Sequence, residues 1–313
     1  MNQKKNYIKS LLSIAVVALT IFLRYCDQGN VVSSLVTCNI GSASGCFNLG
    51  NSYYLGKGVS QDLHKATELY KKACEMELPG GCYNLGILYY SGAGVTQDFH
   101  KANELFNKAC DMKYASGCFN LGVCYEEGKG VAQNFHKASE LYQKSCDMAH
   151  AKGCFNLGVY YGEGKGVTQD FHKANELYQK ACGLGHAGGC FNLGNSYYLG
   201  EGVSQDFHKA NELYQKACDQ GQAEGCFSLG NAYVFGKGVT QDFHKANELY
   251  QKACGLGHAG GCFGLGVCYE EGKGVTQDSH KAREFYKKAC DQGLAEGCSS
   301  TENLYRKGRG AQQ

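Results

Sequence analysis

The sequence predicts an all-α protein, a right-handed αα-solenoid of helical hairpins that recur every 36 residues. Sixteen of the 19 cysteines fall in two series with this period, and the second series runs eight residues behind the first. Within each period, apolar residues recur at helical spacing in two stretches that a Gly-x-Gly segment separates. The first series is Cys38, Cys74, Cys110, Cys146, Cys182, Cys218, Cys254 and Cys290, and the second is Cys46, Cys82, Cys118, Cys154, Cys190, Cys226, Cys262 and Cys298.

The first half of each repeat is predicted to be a helix, which we call helix A. In one typical repeat, Cys118, Leu121, Gly122 and Tyr125 form a single apolar stripe. Glycine in a helix interior costs about 1 kcal/mol relative to alanine. Because glycine returns at the Gly122 position in all seven repeats, the sequence predicts that another helix approaches closely there.

A glycine-rich loop ends helix A and leads into a second helix, helix B. Residues 128–131 (Gly-Lys-Gly-Val) provide glycine where a helix C-cap needs left-handed backbone. Aspartates such as Asp98 are then placed to cap the free N–H groups at the start of helix B. The predicted buried stripe of that helix is Phe99, Ala102, Leu105 and Ala109.

The repeats divide the chain into seven hairpins with an incomplete repeat at each end. Residues 28–43 retain the end of a helix B and form a degenerate N-terminal cap. Residues 296–313 retain the opening of a helix A and form a C-terminal cap. The predicted hairpins within 44–295 are 44–79, 80–115, 116–151, 152–187, 188–223, 224–259 and 260–295.

Residues 1–27 are predicted to be a signal peptide or an N-terminal membrane anchor. Three lysines before residue 10 precede an apolar stretch over 11–23, which is the order found in export signals. That stretch is shorter than the roughly 20 residues of a membrane-spanning helix. Since no small-x-small cleavage site follows it, an uncleaved anchor or an acylated Cys26 stays an alternative to cleavage. Each alternative places the protein outside the cytosol, secreted or periplasmic.

The cysteine ladder predicts disulfide bonds, because many thiols in a fixed pattern suit an oxidising compartment. Antiparallel helices bring the start of helix A and the end of helix B to one edge, so Cys46 is in reach of either Cys38 or Cys74. Only pairing over eight residues uses every cysteine of the ladder. The predicted pairs are Cys38–Cys46, Cys74–Cys82, Cys110–Cys118, Cys146–Cys154, Cys182–Cys190, Cys218–Cys226, Cys254–Cys262 and Cys290–Cys298.

Cys124 and Cys268 stand outside the ladder and share one position of helix A, four repeats apart. Within one extended array they are too far apart to meet. We predict that both are buried free thiols, with a reactive or intermolecular thiol as the alternative.

The repeats resemble Sel1-like repeats, which are relatives of the tetratricopeptide repeat. Leu49-Gly50 with Tyr53, the loop 56–59 (Gly-Lys-Gly-Val), and Lys65-Ala66 with Tyr70 match that pattern. The added Cys-x7-Cys ladder is similar to that of the Helicobacter cysteine-rich protein family. The resemblance implies export, penicillin binding and weak β-lactamase activity, with a β-lactam or peptidoglycan-like molecule as ligand. It also implies a possible role as a secreted factor that acts on host cells.

The residues themselves indicate no catalytic centre. The chain contains no Ser-x-x-Lys, Lys-Thr-Gly, Gly-x-Ser-x-Gly or His-x-His-x-Asp motif of the kind that serine or zinc hydrolases use. Histidines recur at the His100 position of helix B, but one repeat separates them by about 10 Å, too far to share a metal. We therefore predict no metal and no cofactor. The formal net charge of +2 gives no reason to expect nucleic acid.

A non-enzymatic alternative follows from how the repeats vary. Positions equivalent to Asn48, Asn51 and Leu55 share one face of helix A, and the last two vary strongly between repeats. We predict that this face, on the concave side of the solenoid, binds a peptide or protein, and that the asparagines hold its backbone. The other interpretation is that the asparagines satisfy neighbouring helices or face solvent. The candidate residues are Asn84, Asn120, Asn156, Asn192, Val123, Val159, Glu127 and Glu163.

Overall fold

The computed structural model describes residues 29–310, which are helical apart from short connections. The chain divides into an N-terminal unit, Met1–Met148, and a C-terminal unit, Ala149–Gln313. The expected signal peptide or anchor over residues 1–27 lies outside the described residues. Across 29–310, no helix combines the length and the apolar character needed to cross a membrane.

All described helices alternate between helix A and helix B, as the sequence predicted. Even-numbered helices are helix A and odd-numbered helices are helix B. The N-terminal unit contains α1 (residues 29–39), α2 (Ala43–Leu55), α3 (Leu63–Glu75), α4 (Pro79–Ser91), α5 (Phe99–Asp111), α6 (Ala115–Glu127) and α7 (Phe135–Asp147). The C-terminal unit contains α8 (Ala151–Glu163), α9 (Phe171–Gly183), α10 (Ala187–Leu199), α11 (Phe207–Asp219), α12 (Ala223–Phe235), α13 (Phe243–Gly255), α14 (Ala259–Glu271), α15 (Ser279–Asp291) and α16 (Ala295–Gly310).

The last helix is longer than the sequence predicted. We expected only the opening of a helix A after residue 296, whereas α16 runs for 16 residues. An ion pair between Glu302 and Arg306 (2.6 Å), one helical turn apart, supports the added turns.

The ends of the helices are capped by the residues that the sequence indicated. Helix α5 begins where the carboxylate of Asp98 accepts a hydrogen bond from the backbone N–H of Lys101 (3.0 Å). The helices from α2 to α14 that form helix A each end at a glycine with φ between 65° and 78°. A glutamine side chain in the loop then donates to a carbonyl near the end of helix A, as Gln97 does to Tyr90 (2.9 Å). These caps fix the loop that joins the two helices.

The core of each hairpin is an aromatic ring of helix B lying on the glycine of helix A. A β-carbon added at Gly122 would lie 2.8 Å from the Tyr142 ring, which explains the repeated glycine. In α5 the ring is Phe106, 1% exposed, and not the predicted Leu105, which is half-buried. The predicted stripe was therefore wrong by one residue at this point. Leu105 instead packs near the Cys74–Cys82 bond at the junction with the preceding repeat.

Within each unit, disulfide bonds join the end of a helix B to the start of the next helix A. Their Cα atoms lie 4.4 to 4.7 Å apart. Cys146 and Cys154 are disulfide-bonded as well, and their pairing with each other stays a prediction because they belong to different units. The bonds within the units are Cys38–Cys46, Cys74–Cys82, Cys110–Cys118, Cys182–Cys190, Cys218–Cys226, Cys254–Cys262 and Cys290–Cys298.

Noncovalent contacts join the loop ends of consecutive repeats. The buried Asn103 of α5 donates through Nδ2 to the carbonyl of Lys129 in the next loop (2.8 Å). Asn175, Asn211 and Asn247 make the equivalent bond in the C-terminal unit, at 2.7 Å. The second loop glycine is also constrained, since a β-carbon at Gly130 would lie 2.5 Å from the backbone of Phe99. Within each unit, these loops thus rest directly on the preceding helix B.

We predict that the glycine under the aromatic ring cannot be replaced by alanine without loss of stability. In Gly158→Ala the new methyl group would meet the Tyr178 ring at 2.8 Å, so we expect the free energy of unfolding to fall by about 1–3 kcal/mol. Gly183→Ala is the matched control, because nothing lies within 4 Å of its β-carbon position. That variant should be neutral or stabilising by up to about 1 kcal/mol. Urea denaturation followed by circular dichroism would measure both, and equal effects would refute the packing argument.

We also predict that Cys124 and Cys268 resist alkylation in the folded protein. Both are buried free cysteines, and burial raises the pKa of Cys124 to about 12 and that of Cys268 to about 11. Because the thiolate is the reactive form, iodoacetamide at about pH 8 should leave both unmodified until denaturant is added. Peptide mapping by mass spectrometry would show this, and labelling of either cysteine in the folded state would contradict it.

Candidate functional site

The residues predicted as a binding surface do lie along helix A, in three rows. The first row contains the positions equivalent to Asn48, the second those equivalent to Asn51, and the third those equivalent to Leu55. We call these rows together the helix A face. Asn84, Asn120 and Val123 of the N-terminal unit are half-buried, as are Asn156, Val159 and Asn192 of the C-terminal unit. Glu127 and Glu163, in the third row, are exposed.

The first-row asparagines take part in hydrogen bonds between consecutive repeats. Asn84 donates through Nδ2 to Oδ1 of Asn51 (3.3 Å), and Asn120 donates to the Tyr83 hydroxyl at 3.5 Å. These contacts favour the second of the two interpretations from the sequence, in which the asparagines satisfy neighbouring helices. The row also stops in the C-terminal unit, where Ser228 and Gly264 take its place.

Second-row residues serve the buried tyrosines of helix B. The hydroxyl of Tyr70 donates to Oδ1 of Asn51 (2.8 Å). Asn195 accepts from Tyr214 (2.8 Å) and Asn231 accepts from Tyr250 (2.6 Å) in the same way. Burial raises the pKa of each of these tyrosines, Tyr70 to about 12, so their hydroxyls stay protonated as donors.

In the repeats with Val123 and Val267 in the second row, a glutamate three residues later replaces the asparagine as acceptor. Glu126 accepts from Tyr142 (2.5 Å) and Glu270 accepts from Tyr286 (2.8 Å). Each of these glutamates is half-buried as well as bonded to a tyrosine. Their role here is structural, as hydrogen-bond acceptors in the hairpin core.

A lysine in the loop binds a carboxylate and a tyrosine together. In the N-terminal unit, Nζ of Lys129 lies 2.8 Å from Oε2 of Glu127 and 2.9 Å from the hydroxyl of Tyr90 in the preceding repeat. The Tyr90 hydroxyl also donates to the same Glu127 oxygen (3.1 Å). The pKa of Lys129 is raised, mainly by its hydrogen bond to Glu127 and to a smaller extent by its hydrogen bond to Tyr90. The three side chains form a closed triangle on the helix A face.

In the C-terminal unit, two adjoining cavities open on the helix A face. One, of about 810 Å³, lies between α10 and α12 over Tyr214, and the other, of about 440 Å³, lies between α12 and α14. Asn231 and Phe235 line both cavities. The third row is apolar here, since Leu199 is 58% and Phe235 68% exposed. Large apolar side chains at this exposure, beside a cavity, are typical of a binding surface.

The histidines do not form a metal site in the described part of the chain. No group of three or more His, Cys, Asp or Glu side chains there is arranged to hold a metal ion. The recurring helix B histidines are exposed and face a glutamate one turn later, as His244 does Glu248 (3.5 Å). His186 and His258 cap α10 and α14 and stack on Phe155 and Phe227.

Sequence reasoning missed the contact between the loop lysine and a tyrosine of the preceding repeat. The two side chains are 39 residues apart in the chain, in both Tyr90–Lys129 and Tyr198–Lys237. The sequence contains a signal for this contact, because Tyr90 and Tyr198 occupy the same position of helix A and each is followed by a lysine 39 residues later.

Comparison with known proteins agrees with this architecture. Among solved structures, a protective antigen of uropathogenic Escherichia coli with an SLR fold matches with a TM-score of 0.83 and 31% identity, over 89% of this chain and 60% of that protein. The present chain thus spans 60% of the length of that relative. A Sel1 repeat protein from Oxalobacter formigenes matches with a TM-score of 0.73 and 26% identity, over 84% of this chain and 76% of that protein.

A third similar structure shares the cysteine-rich character. Helicobacter pylori cysteine rich protein B is 36% identical over 42% of this chain and 94% of its own, with a TM-score of 0.35. Among curated proteins, none matches the chain.

The family comparison covers every complete hairpin. The Sel1 repeat model matches seven consecutive segments, each of which begins one residue before the predicted repeat. The matched segments are 43–78, 79–114, 115–150, 151–186, 187–222, 223–258 and 259–294. With most of its length in these repeats and with helices of the corresponding architecture, the chain belongs to the Sel1 repeat family.

Proposed function

We propose that this protein is an exported, disulfide-stabilised scaffold that binds a protein or peptide on its helix A face. The observation that carries the proposal is the pair of adjoining cavities in the C-terminal unit, with Leu199 and Phe235 exposed at their edge. Exposing two large apolar side chains to water is unfavourable unless a partner covers them. Sel1 repeat proteins generally mediate protein–protein interactions, which supports the same assignment.

The disulfide bonds support the exported location. Bonds at successive repeat junctions suit an oxidising compartment, and they accord with the export signal expected from residues 1–27. The Escherichia coli relative is a protective antigen, which fits a protein that meets host molecules. Placement among the Helicobacter-type cysteine-rich proteins is part of this proposal, and the Cys-x7-Cys ladder supports it.

We do not extend the proposal to β-lactam binding or hydrolysis, which the family resemblance implied. The half-buried glutamates Glu126 and Glu270 are bonded to core tyrosines, so they serve the hairpin core. The free thiols of Cys124 and Cys268 are buried with raised pKa values, so they make poor nucleophiles. The described residues also contain no group of His, Cys, Asp and Glu side chains that could hold a metal ion.

The binding proposal predicts that exposed apolar residues of the helix A face matter more for binding than exposed apolar residues elsewhere. Wild-type protein is first tested on a random peptide array to find the peptides that it binds. We expect the double variant Leu199→Ser with Phe235→Ser to lose binding to most of those peptides. The control is Leu184→Ser with Leu256→Ser, which removes two exposed leucines from the turns that follow α9 and α13. This control should bind like wild type. Equal loss in both variants, with unchanged melting temperatures, would reject the helix A face.

The absence of an assembled catalytic group predicts no β-lactam turnover. We expect purified protein to hydrolyse a chromogenic cephalosporin no faster than the same preparation after reduction and unfolding. Turnover that depends on the folded protein, and that persists after metal chelation, would contradict this expectation and revive the enzymatic alternative.

A further inference from the structure

The C-terminal unit contains the same tyrosine–lysine pair that binds a carboxylate in the N-terminal unit. Nζ of Lys237 donates to the hydroxyl of Tyr198 (2.7 Å), as Lys129 does to Tyr90 (2.9 Å). Each lysine also lies over the ring of its tyrosine, 5.0 Å from the centroid at Tyr198 and 5.1 Å at Tyr90. The two pairs therefore share one geometry, in repeats that differ elsewhere.

The third member of the triangle differs between the two places. Glu127 supplies the carboxylate in the N-terminal unit, and Phe235 occupies the equivalent position in the C-terminal unit. Within the described residues, Lys237 makes no ion pair with a carboxylate. The next repeat shows that the substitution is the cause, because Lys273 again pairs with a glutamate at this position, Glu271, at 2.7 Å. At Lys237 the structure retains the cation and the tyrosine and lacks only the anion.

The surroundings of Lys237 specify what else a ligand carrying that anion would meet. Tyr198, Leu199, Phe235 and Lys237 all line the cavity of about 810 Å³ between α10 and α12. Asn195 also lines it, and its amide oxygen accepts from Tyr214, which leaves the amide NH2 group as a donor for a ligand. A carboxylate would thus lie beside a broad apolar surface with an amide donor nearby.

We propose that this cavity binds an acidic side chain of an extended peptide, with a neighbouring bulky apolar side chain against Leu199 and Phe235. The peptide carboxylate takes the place that Glu127 has in the N-terminal unit, bonded to Lys237 and Tyr198. The site belongs to the helix A face and rests on the binding function proposed above. It adds a specific requirement, which is one negative charge beside one apolar group.

The probes are acetylated, amide-capped peptides in which Glu and Phe are separated by no, one, two or three glycines. Blocking both ends removes the terminal charges, so the Glu side chain is the only anion. Each peptide has a counterpart with Gln in place of Glu. Isothermal titration calorimetry of the unlabelled peptides against the full-length, disulfide-bonded protein gives the dissociation constants.

We expect at least one Glu peptide to bind, and its Gln counterpart to bind about tenfold more weakly, as for the loss of a charged hydrogen-bond partner. Lys237→Met should cause the same loss. Phe235→Glu should abolish binding, because the new carboxylate imitates Glu127 and occupies Lys237. Phe235→Gln, which has the same shape without the charge, should weaken binding less. Lys129→Met, which breaks the triangle in the N-terminal unit, should leave peptide affinity unchanged.

Several results would overturn the proposal. Equal affinity for Glu and Gln peptides would show that no carboxylate is recognised, and equal losses in Lys129→Met and Lys237→Met would show that the effect is not local. Failure of all four Glu peptides to bind would also refute it. In that case the peptide array with the Leu199 and Phe235 serine variant decides whether the broader binding function stands without this site.

Discussion

The packing of a helix B aromatic ring on a helix A glycine is the contact on which the rest of the repeat depends. It brings the two helices so close that Gly122 admits no side chain, and it buries the tyrosine hydroxyl with the ring. A buried hydroxyl needs an acceptor, and helix A supplies one as Asn51, Asn195 or Glu126. The second-row asparagines of the helix A face are therefore committed to the core, whereas the third-row residues make no such bond to a buried tyrosine.

Much of this architecture could be predicted from the sequence because the repeat constrains it. Antiparallel helices of fixed length place cysteines eight residues apart at one edge, so the cysteine pattern alone leads to the pairing. The stripe of helix B was harder, since Leu105 and Phe106 are both apolar and only packing decides which faces the glycine. Contacts between repeats were the hardest. The Tyr90–Lys129 bond depends on the stacking of two hairpins, which periodicity within one hairpin does not describe.

Differences between equivalent positions carry most of the functional information. Glu127 and Phe235 stand at one position in repeats of nearly the same structure, and the exchange turns a closed charged triangle into an open one beside a cavity. The triangle in the N-terminal unit thus shows how the same tyrosine–lysine pair is arranged when a carboxylate is present. Because the supporting tyrosine and lysine are unchanged, the change in surface chemistry requires no change in the fold.

The disulfide bonds described within the two units lie where a helix B ends and the next helix A begins, while the glycine loops at the opposite edge are held by hydrogen bonds such as Asn103 to Lys129. Within each unit, neighbouring hairpins are therefore tied covalently at one edge and by noncovalent contacts at the other. Opening of the loop edge would break hydrogen bonds but no covalent bond. Since Lys129 and Lys237 belong to loops of that edge, small opening motions would widen or narrow the space beside them while the spacing of the repeats stays constant.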